Sequence, residues 1–180
     1  MIGHVNGTVA RYNPRSQSLV HFSGEQTGIS GQVCNIASQP DGSLWFATAS
    51  GLYRFEEATF VNYLKADGLP NEIVSASAVA RDGSVWFAKS VTPSGFVSRV
   101  KPEVKQAGRS PFETVGPGRA LASYSLAPDA KGGVWIVRAA QGAPLLRFDA
   151  EAESRGAEPF SSFEPPYGQK WVLLAETNDN

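Results

Sequence analysis

The chain has 180 residues, of which 42% are hydrophobic and 18% are charged, and its formal net charge is −1. A chain of this length forms one domain with a hydrophobic core more readily than two. Because neither sign of charge is gathered into runs, the sequence lacks the basic surface expected of a protein that binds nucleic acid or an anionic membrane. Binding of small neutral or weakly polar ligands stays open.

The single cysteine and the hydropathy of the sequence argue against a disulfide-rich protein and against a membrane-spanning one. Cys34 is the only cysteine, so the sequence offers no intrachain disulfide and no thiolate metal cluster. We expect Cys34 to be a small buried residue of a strand. The first twenty residues contain no apolar core typical of a signal peptide, and no apolar run is long enough to span a bilayer. The sequence predicts a soluble segment with no direct membrane insertion.

Three segments of the chain resemble one another, and each contains a tryptophan after a glycine-containing turn. Trp45 and Trp86 are 41 residues apart, and Trp86 and Trp135 are 49 apart. An arginine followed by an apolar or aromatic residue repeats in the same register: Arg11, Arg54, Arg99 and Arg147. Repeats of about 40 to 50 residues made of short β-rich runs are typical of propeller blades, whereas helical repeats show apolar residues every three or four positions. The pattern predicts an all-β propeller of four-stranded antiparallel blades.

The predicted strands follow in chain order. Residues 7–22 match the last two strands of a blade. The first complete repeat has apolar residues at a spacing of two between turn residues, which predicts four strands. These strands lie near 33–38, 44–47, 52–55 and 60–64.

Turn residues separate the first two strands of each repeat. Asp41-Gly42 and Asp82-Gly83 suit tight hairpins, because Asp tolerates and Gly favours a positive φ. The third copy has Asp-Ala-Lys-Gly-Gly at 129–133 instead. This departure predicts a longer connection that is looser or bulged.

The repeat count predicts three full blades with partial blades at both ends. The blade pieces are expected at 1–22, the blades at about 33–64, 74–115 and 122–163, and a partial blade at 170–180. Two explanations stay open. The chain is part of a propeller with more blades, or its two end pieces pair to complete a small fourth blade.

The recurring tryptophan has a physical explanation. A blade must bury both faces of its sheet against its neighbours, and a large ring on the second strand fills the wedge between two blades. Burying one indole removes about 150 to 250 Å² from water. We therefore expect Trp45 and Trp86 to be packing residues, with a ligand-stacking cage as the alternative.

Residues 24–88 resemble the repeat of two-component regulator propellers. They combine Gly-Leu-Pro at 68–70, Asp-Gly-x-Leu/Val-Trp-Phe at 41–46 and 82–87, and Gly-Leu-x-Arg at 51–54. The third repeat lacks both the Gly-Leu-Pro and the Asp-Gly. The resemblance implies a periplasmic or other extracytoplasmic sensor region of a bacterial membrane-bound regulator. It also implies further blades and signalling domains of a longer protein as partners, and a small solute, in some relatives an oligosaccharide, as the ligand.

The strand order of such propellers implies that two sets of loops share one face. They join the second strand to the third, and the fourth strand to the next blade. Polar residues in these loops are the candidate ligand-binding residues. They are Glu25, Gln26, Lys65, Asp67, Asn71, Lys89, Arg119, Arg138 and Gln141.

Catalysis, a metal site and a cofactor are not expected. The chain has only two histidines, His4 and His21, and no Asp-x-Asp-x-Asp-Gly calcium loop. A non-catalytic sensor is the interpretation that we prefer. The alternatives are a streptogramin-lyase-like propeller, whose repeats also join Asp-Gly to Trp-Phe, and a purely structural or protein-docking propeller.

Overall fold

The strands that the structure describes form four antiparallel sheets, which we number I to IV in chain order. The computed structural model describes residues 1–4, 6–89, 96–101, 110–116, 123–138 and 142–166. Within these residues, sheet I has three strands and each later sheet has four. Every sheet keeps its strands in sequence order, as hairpin-connected neighbours do. The chain is a β-propeller segment with three full blades and a partial one. The partial blade predicted at 170–180 lies outside the described residues.

Sheets I and II contain the first seven strands. Sheet I consists of β1 (Ile2–Gly3), β2 (Val9–Asn13) and β3 (Ser18–Phe22). Strand β1 was absent from the prediction, since two residues carry no periodic pattern; it pairs with Val9 and Ala10. Sheet II consists of β4 (Val33–Ser38), β5 (Leu44–Thr48), β6 (Gly51–Glu56) and β7 (Thr59–Tyr63).

Sheets III and IV contain the remaining eight of the described strands. Sheet III consists of β8 (Ala76–Val79), β9 (Val85–Lys89), β10 (Phe96–Val100) and β11 (Phe112–Thr114). Sheet IV consists of β12 (Ser123–Pro128), β13 (Val134–Arg138), β14 (Leu145–Phe148) and β15 (Phe160–Phe163).

In the residues that the structure describes, helical structure is confined to connections between strands. The helices there are α1 (Gly24–Thr27) and α2 (Ala150–Ser154), and a 3-10 turn covers Lys65–Asp67. In the described part of the chain, no helix combines the length and the hydropathy of a membrane span.

The sheets stack in chain order around an axis. The innermost strands form a series of contacts in which β4 touches β8 and β8 touches β12, and β1 of sheet I touches β4. Each sheet therefore has a front face toward the preceding sheet and a back face toward the following one. Three apolar clusters fill the interfaces between sheets I and II, II and III, and III and IV.

In each full blade, the tryptophan of the second strand lies on the back face of the sheet. Trp45 and Trp86 retain only 3% and 0% of their exposure. The ring of Trp86 lies 4.7 Å, centroid to centroid, from Phe148 in the next sheet. The predicted wedge is present at both sites. Trp135, on the back face of sheet IV, is only half-buried.

The third turn is not looser than the others, contrary to the prediction. All three connections between first and second strands span five residues: 39–43, 80–84 and 129–133. Gly42, Gly83 and Gly132 have φ of 86°, 79° and 84°. The glycine needed at the left-handed position is thus kept. In the third copy the Asp129 carboxylate accepts hydrogen bonds from the backbone N–H groups of Lys131 and Gly133, so it orders the turn from another position.

Cys34 lies in a strand, as predicted, but its side chain is exposed rather than buried. It belongs to β4, the innermost strand of sheet II. Strand β1 of sheet I contacts β4 but leaves Cys34 exposed. Strand β8, which lies between β4 and β12, is buried at Ala76, Ser77 and Ala78.

Candidate functional site

The predicted face exists, and we call it the upper face. It lies at the end of the sheets where second strands pass to third strands and where each blade passes to the next, at 49–50 and 64–75 in sheet II. The hairpin turns between first and second strands lie at the opposite end, the lower face.

Two of the predicted ligand-binding residues have local structural roles on the upper face. The Asp67 carboxylate accepts a 2.8 Å hydrogen bond from Leu64 N at the start of the 3-10 turn. Asn71 Oδ1 accepts one of 3.1 Å from Ile73 N. Such Asx contacts order loops without any ligand. Lys65 is exposed in the same turn.

Helix α1 places the two earliest candidates in the connection before sheet II. Gln26 Oε1 accepts a 2.8 Å hydrogen bond from Ser23 N, while Ser23 Oγ accepts one from Gln26 N. This reciprocal capping box commits the Gln26 side chain to holding the helix. Glu25 is exposed.

Lys89 and Arg138 hold equivalent positions in neighbouring blades. Each is the last residue of a second strand and follows its tryptophan by three positions. Lys89 retains 6% of its exposure, and Arg138 is half-buried. Within the described residues, the buried Nε of Arg138 makes no hydrogen bond. Arg119 and Gln141 lie outside the described residues.

Two further residues share this position, and sequence reasoning missed both. Thr48 follows Trp45 by three residues. His4 is its counterpart in sheet I, because Gly3 pairs with Val9 as Ala47 pairs with Leu52. The spacing from tryptophan could have identified Thr48, but His4 became recognisable only with β1. We call the four residues at this position the polar row: His4, Thr48, Lys89 and Arg138.

The members of the polar row differ in their burial and in their hydrogen bonds. The hydroxyl of the fully buried Thr48 donates a 2.7 Å hydrogen bond to Gly51 O and closes its turn. His4 is exposed beside β1. Arg138 is the strongest candidate for binding oxygen acceptors, because its buried Nε makes no hydrogen bond within the described residues. Lys89 is a second cation at the same repeat position.

A second polar contact joins the innermost strands. Ser77 Oγ donates a 2.8 Å hydrogen bond to Asn35 Oδ1 across sheets III and II. Asn35 is exposed, whereas Ser77 is buried at 7% exposure. This pair adds a polar group near the axis.

Toward the lower face, an arginine lies over the tryptophan of each full blade. The cross-strand neighbours are Trp45 and Arg54, Trp86 and Arg99, and Trp135 and Arg147. The guanidinium carbon lies 5.6, 5.4 and 5.9 Å from the respective ring centroid. These cation–π contacts explain the recurring arginine of the sequence.

Each of these arginines also forms ion pairs. Arg54 Nη2 lies 3.2 Å from Asp41 Oδ2, and Arg147 Nε lies 2.7 Å from Asp129 Oδ2. A hydrogen bond from the Ser43 hydroxyl is the main cause that lowers the pKa of Asp41. Burial alone would raise the pKa of Asp129, but hydrogen bonds from Gly133 N and from Arg147 outweigh it and lower the pKa.

A hollow of 380 Å³ opens beside Trp135 at the lower end of sheet IV. Asp129, Arg147 and Asp149 line it together with the indole. Backbone hydrogen bonding, chiefly from Ala152 N, lowers the pKa of Asp149, as does its contact with Arg147. The carboxylates of this hollow are thus engaged by their own blade.

The described residues contain no cluster of three or more side chains suited to a metal ion. His21 is exposed on β3, whereas His4 belongs to the upper face. The arrangement on the upper face favours binding through cations and hydrogen-bond donors.

Comparison with known proteins shows the fold class and leaves the family open. No family model matches the sequence, and no curated protein matches it. Solved structures do match. Virginiamycin B lyase from Staphylococcus aureus shares 14% identity over 97% of this chain and 54% of its own, with a TM-score of 0.68.

Two further neighbours are surface proteins. The extracellular domain assigned to a hybrid two-component system of B. thetaiotaomicron shares 17% identity, with a TM-score of 0.66, over 92% of this chain and 21% of its own. PorZ, a surface component of the type-IX secretion system of Porphyromonas gingivalis, shares 17% identity over 94% of this chain and 26% of its own, with a TM-score of 0.64. The neighbours thus include the sensor class that the repeat resembles. The chain spans about half of the lyase and about a quarter or less of the other two.

Proposed function

We propose that this chain is a non-catalytic sensing segment of a propeller that binds a small, oxygen-rich solute on the upper face. The observation that carries the proposal is the placement of Lys89 and Arg138 at one repeat position in adjacent blades. The similarity in fold to extracellular domains of two-component systems supports a sensor role. An extracytoplasmic location and a signalling output elsewhere in the protein belong to the same proposal.

The chemistry of these two cations indicates the class of solute. The half-buried Arg138 has a buried Nε that makes no hydrogen bond within the described residues, which is a desolvation cost that oxygen acceptors would offset. The guanidinium group binds carboxylates through two parallel hydrogen bonds, and an ammonium group binds one oxygen at a time. We therefore propose an oligosaccharide that carries carboxylate groups.

Isothermal titration calorimetry tests the proposal with tetragalacturonate and the uncharged cellotetraose. We expect binding of tetragalacturonate and at least tenfold weaker binding after Arg138→Gln, since a charge-assisted hydrogen bond contributes about 1.5 to 3 kcal/mol. Lys131→Gln is the matched control, because Lys131 is an exposed cation of the lower face. Equal affinity for both saccharides, or equal effects of both substitutions, would contradict the proposed site.

A streptogramin-lyase-like activity is the second candidate function. It is favoured by the position of His4 on the upper face and by the fold of virginiamycin B lyase, of which a histidine-to-alanine variant is catalytically inactive. Incubation with quinupristin, followed by chromatography, separates the two candidates. Turnover that His4→Ala abolishes and His21→Ala preserves would establish the lyase and refute the non-catalytic assignment. We expect no turnover.

A further inference from the structure

A polar pair, Asn35 and Ser77, lies in the interface between sheets II and III. Asn35 pairs across the strands with Ala47, and Ser77 pairs with Phe87. Ala47 and Phe87 both belong to the apolar cluster between these two sheets. Asn35 therefore lies on the back face of sheet II and Ser77 on the front face of sheet III, and both four-stranded sheets of this interface are present in the structure.

The equivalent positions between sheets III and IV have apolar side chains. Counted from the cross-strand partner of each tryptophan, Ala76 is the counterpart of Asn35 in sheet III, and Leu126 is the counterpart of Ser77 in sheet IV. Ala76 and Leu126 belong to the apolar cluster between sheets III and IV. Burying a polar group costs stability unless it is hydrogen-bonded. Because the next interface packs an apolar pair here, the stacking of the sheets does not require Asn35 and Ser77 to be polar.

The hydrogen bond within the pair fixes the orientation of the Asn35 amide. Ser77 Oγ donates to Asn35 Oδ1 at 2.8 Å, and Ser77 is buried at 7% exposure whereas Asn35 is exposed. The two N–H bonds of Asn35 Nδ2 therefore point away from Ser77. Within the described residues, Nδ2 donates no hydrogen bond. An exposed amide that a buried hydroxyl holds in one orientation is a preorganised pair of donors.

The pair lies beside the polar row of the upper face. Asn35 is the third residue of β4, whose first residue pairs with Thr48 of the row. Lys89 of the row shares the front face of sheet III with Ser77, about 7 Å further along the strand toward the upper face. Neighbouring sheets pack about 10 Å apart. A solute of several sugar units is therefore long enough to contact both this pair and Arg138 in the next interface.

We propose that Asn35 is a specificity-determining residue that donates hydrogen bonds to a hydroxyl oxygen of the solute, and that Ser77 is its positioning residue. This inference rests on the solute binding proposed above and adds a neutral contact to it. Arg138 selects the solute by charge, because a guanidinium group favours a carboxylate. Asn35 selects by the position of a hydroxyl group, because an amide N–H bond is directional and uncharged.

Isothermal titration calorimetry with tetragalacturonate at low and at high ionic strength tests the contact. We expect Asn35→Ala to weaken binding about two- to tenfold, as the loss of a neutral hydrogen bond does. This factor should be the same at both ionic strengths, whereas the factor for Arg138→Gln should shrink when salt screens the charge. Asn62→Ala is the matched control, because Asn62 is exposed on the outermost strand of the same sheet.

A double-mutant cycle tests the positioning role of Ser77. Ser77→Ala should weaken binding, and the double variant with Asn35→Ala should bind no more weakly than Asn35→Ala alone, because Ser77 acts only through Asn35. The double variant leaves no buried hydroxyl without a partner, so it is the folded substitute if Asn35→Ala alone loses its circular dichroism spectrum.

The outcomes separate this inference from the function on which it rests. Wild-type binding that the removal of Asn35 leaves unchanged, losses that add in the double variant, or a factor for Asn35→Ala that shrinks with salt would overturn the role of the pair and leave the solute site intact. Absence of tetragalacturonate binding by the wild-type chain would overturn both.

Discussion

Replacing Arg99 should cost far more stability than replacing the arginine at the same position one blade earlier. The Arg99 side chain is 2% exposed, and its guanidinium carbon lies 5.4 Å from the Trp86 ring and 5.0 Å from the Phe148 ring. It also pairs with Glu113 at 2.9 Å and with Glu153 of helix α2, which connects the third and fourth strands of sheet IV. This residue thus links sheets III and IV.

The magnitude follows from burial and from the number of contacts. Loss of one partner from a buried ion pair costs about 3 to 5 kcal/mol, and each desolvated cation–π contact contributes about 0.5 to 2 kcal/mol. Glu113 and Glu153 keep 53% and 33% exposure, so water can solvate them after the change, which favours the lower end. We expect Arg99→Ala to lower the free energy of unfolding by about 3 kcal/mol.

Arg54→Ala provides the matched comparison. Its side chain is 17% exposed and its partners Asp41 and Glu56 are 52% and 45% exposed, so we expect a loss of about 1 kcal/mol. Urea unfolding, followed by tryptophan fluorescence and circular dichroism, measures both variants. Equal losses, or a loss below about 1 kcal/mol for Arg99→Ala, would refute the role of burial between the sheets.

Two further predictions concern the same interfaces. Trp45→Ala, at a ring that is 3% exposed, should lower the free energy of unfolding by about 3 to 5 kcal/mol; a tolerated change that abolishes only ligand binding would indicate a stacking site instead. The free energy of unfolding should fall in acid. The hydrogen bond from Arg99 lowers the pKa of Glu113 in the folded state. The stability that Glu113 contributes is therefore complete above its unfolded pKa of about 4.3, and it is lost as the pH falls through the lower folded pKa. Urea titrations between pH 6 and pH 3 should show this loss and a flatter profile for Arg99→Met, and an identical profile in both proteins would refute it.

Local pattern was enough to predict the strands of the first repeat. The aromatic and large apolar residues over 44–47 and 52–55, which lie between glycine-containing turns, match β5 and β6. Gly42 and Gly83 were recognised as turn residues because a positive φ favours glycine wherever the turn occurs. The failure at 129–133 has a specific cause. In the first two turns the aspartate is the third of the five turn residues, whereas Asp129 is the first and still accepts hydrogen bonds from the turn. The Asp-Gly dipeptide alone does not reveal this substitute.

The candidate site was predicted only in part, because a site depends on contacts between distant residues. The sequence predicts Lys89 and Arg138 as polar loop residues, whereas each is the last residue of a second strand. Asp67 and Gln26 are occupied by backbone N–H groups nearby, and sequence alone cannot distinguish such a cap from a ligand contact. His4 required β1, whose two residues are recognisable only by their pairing.

The sequence by itself determined the repeat, the strand pattern and the class of fold, because these follow from the spacing of side chains along a single strand and from turn chemistry. Tertiary structure decided which side chains are buried and which are available. Cys34 is exposed and Arg99 buried according to whether a neighbouring sheet covers them. Burial is set by the stacking of sheets that are about 40 residues apart in the chain, and no local pattern contains that information.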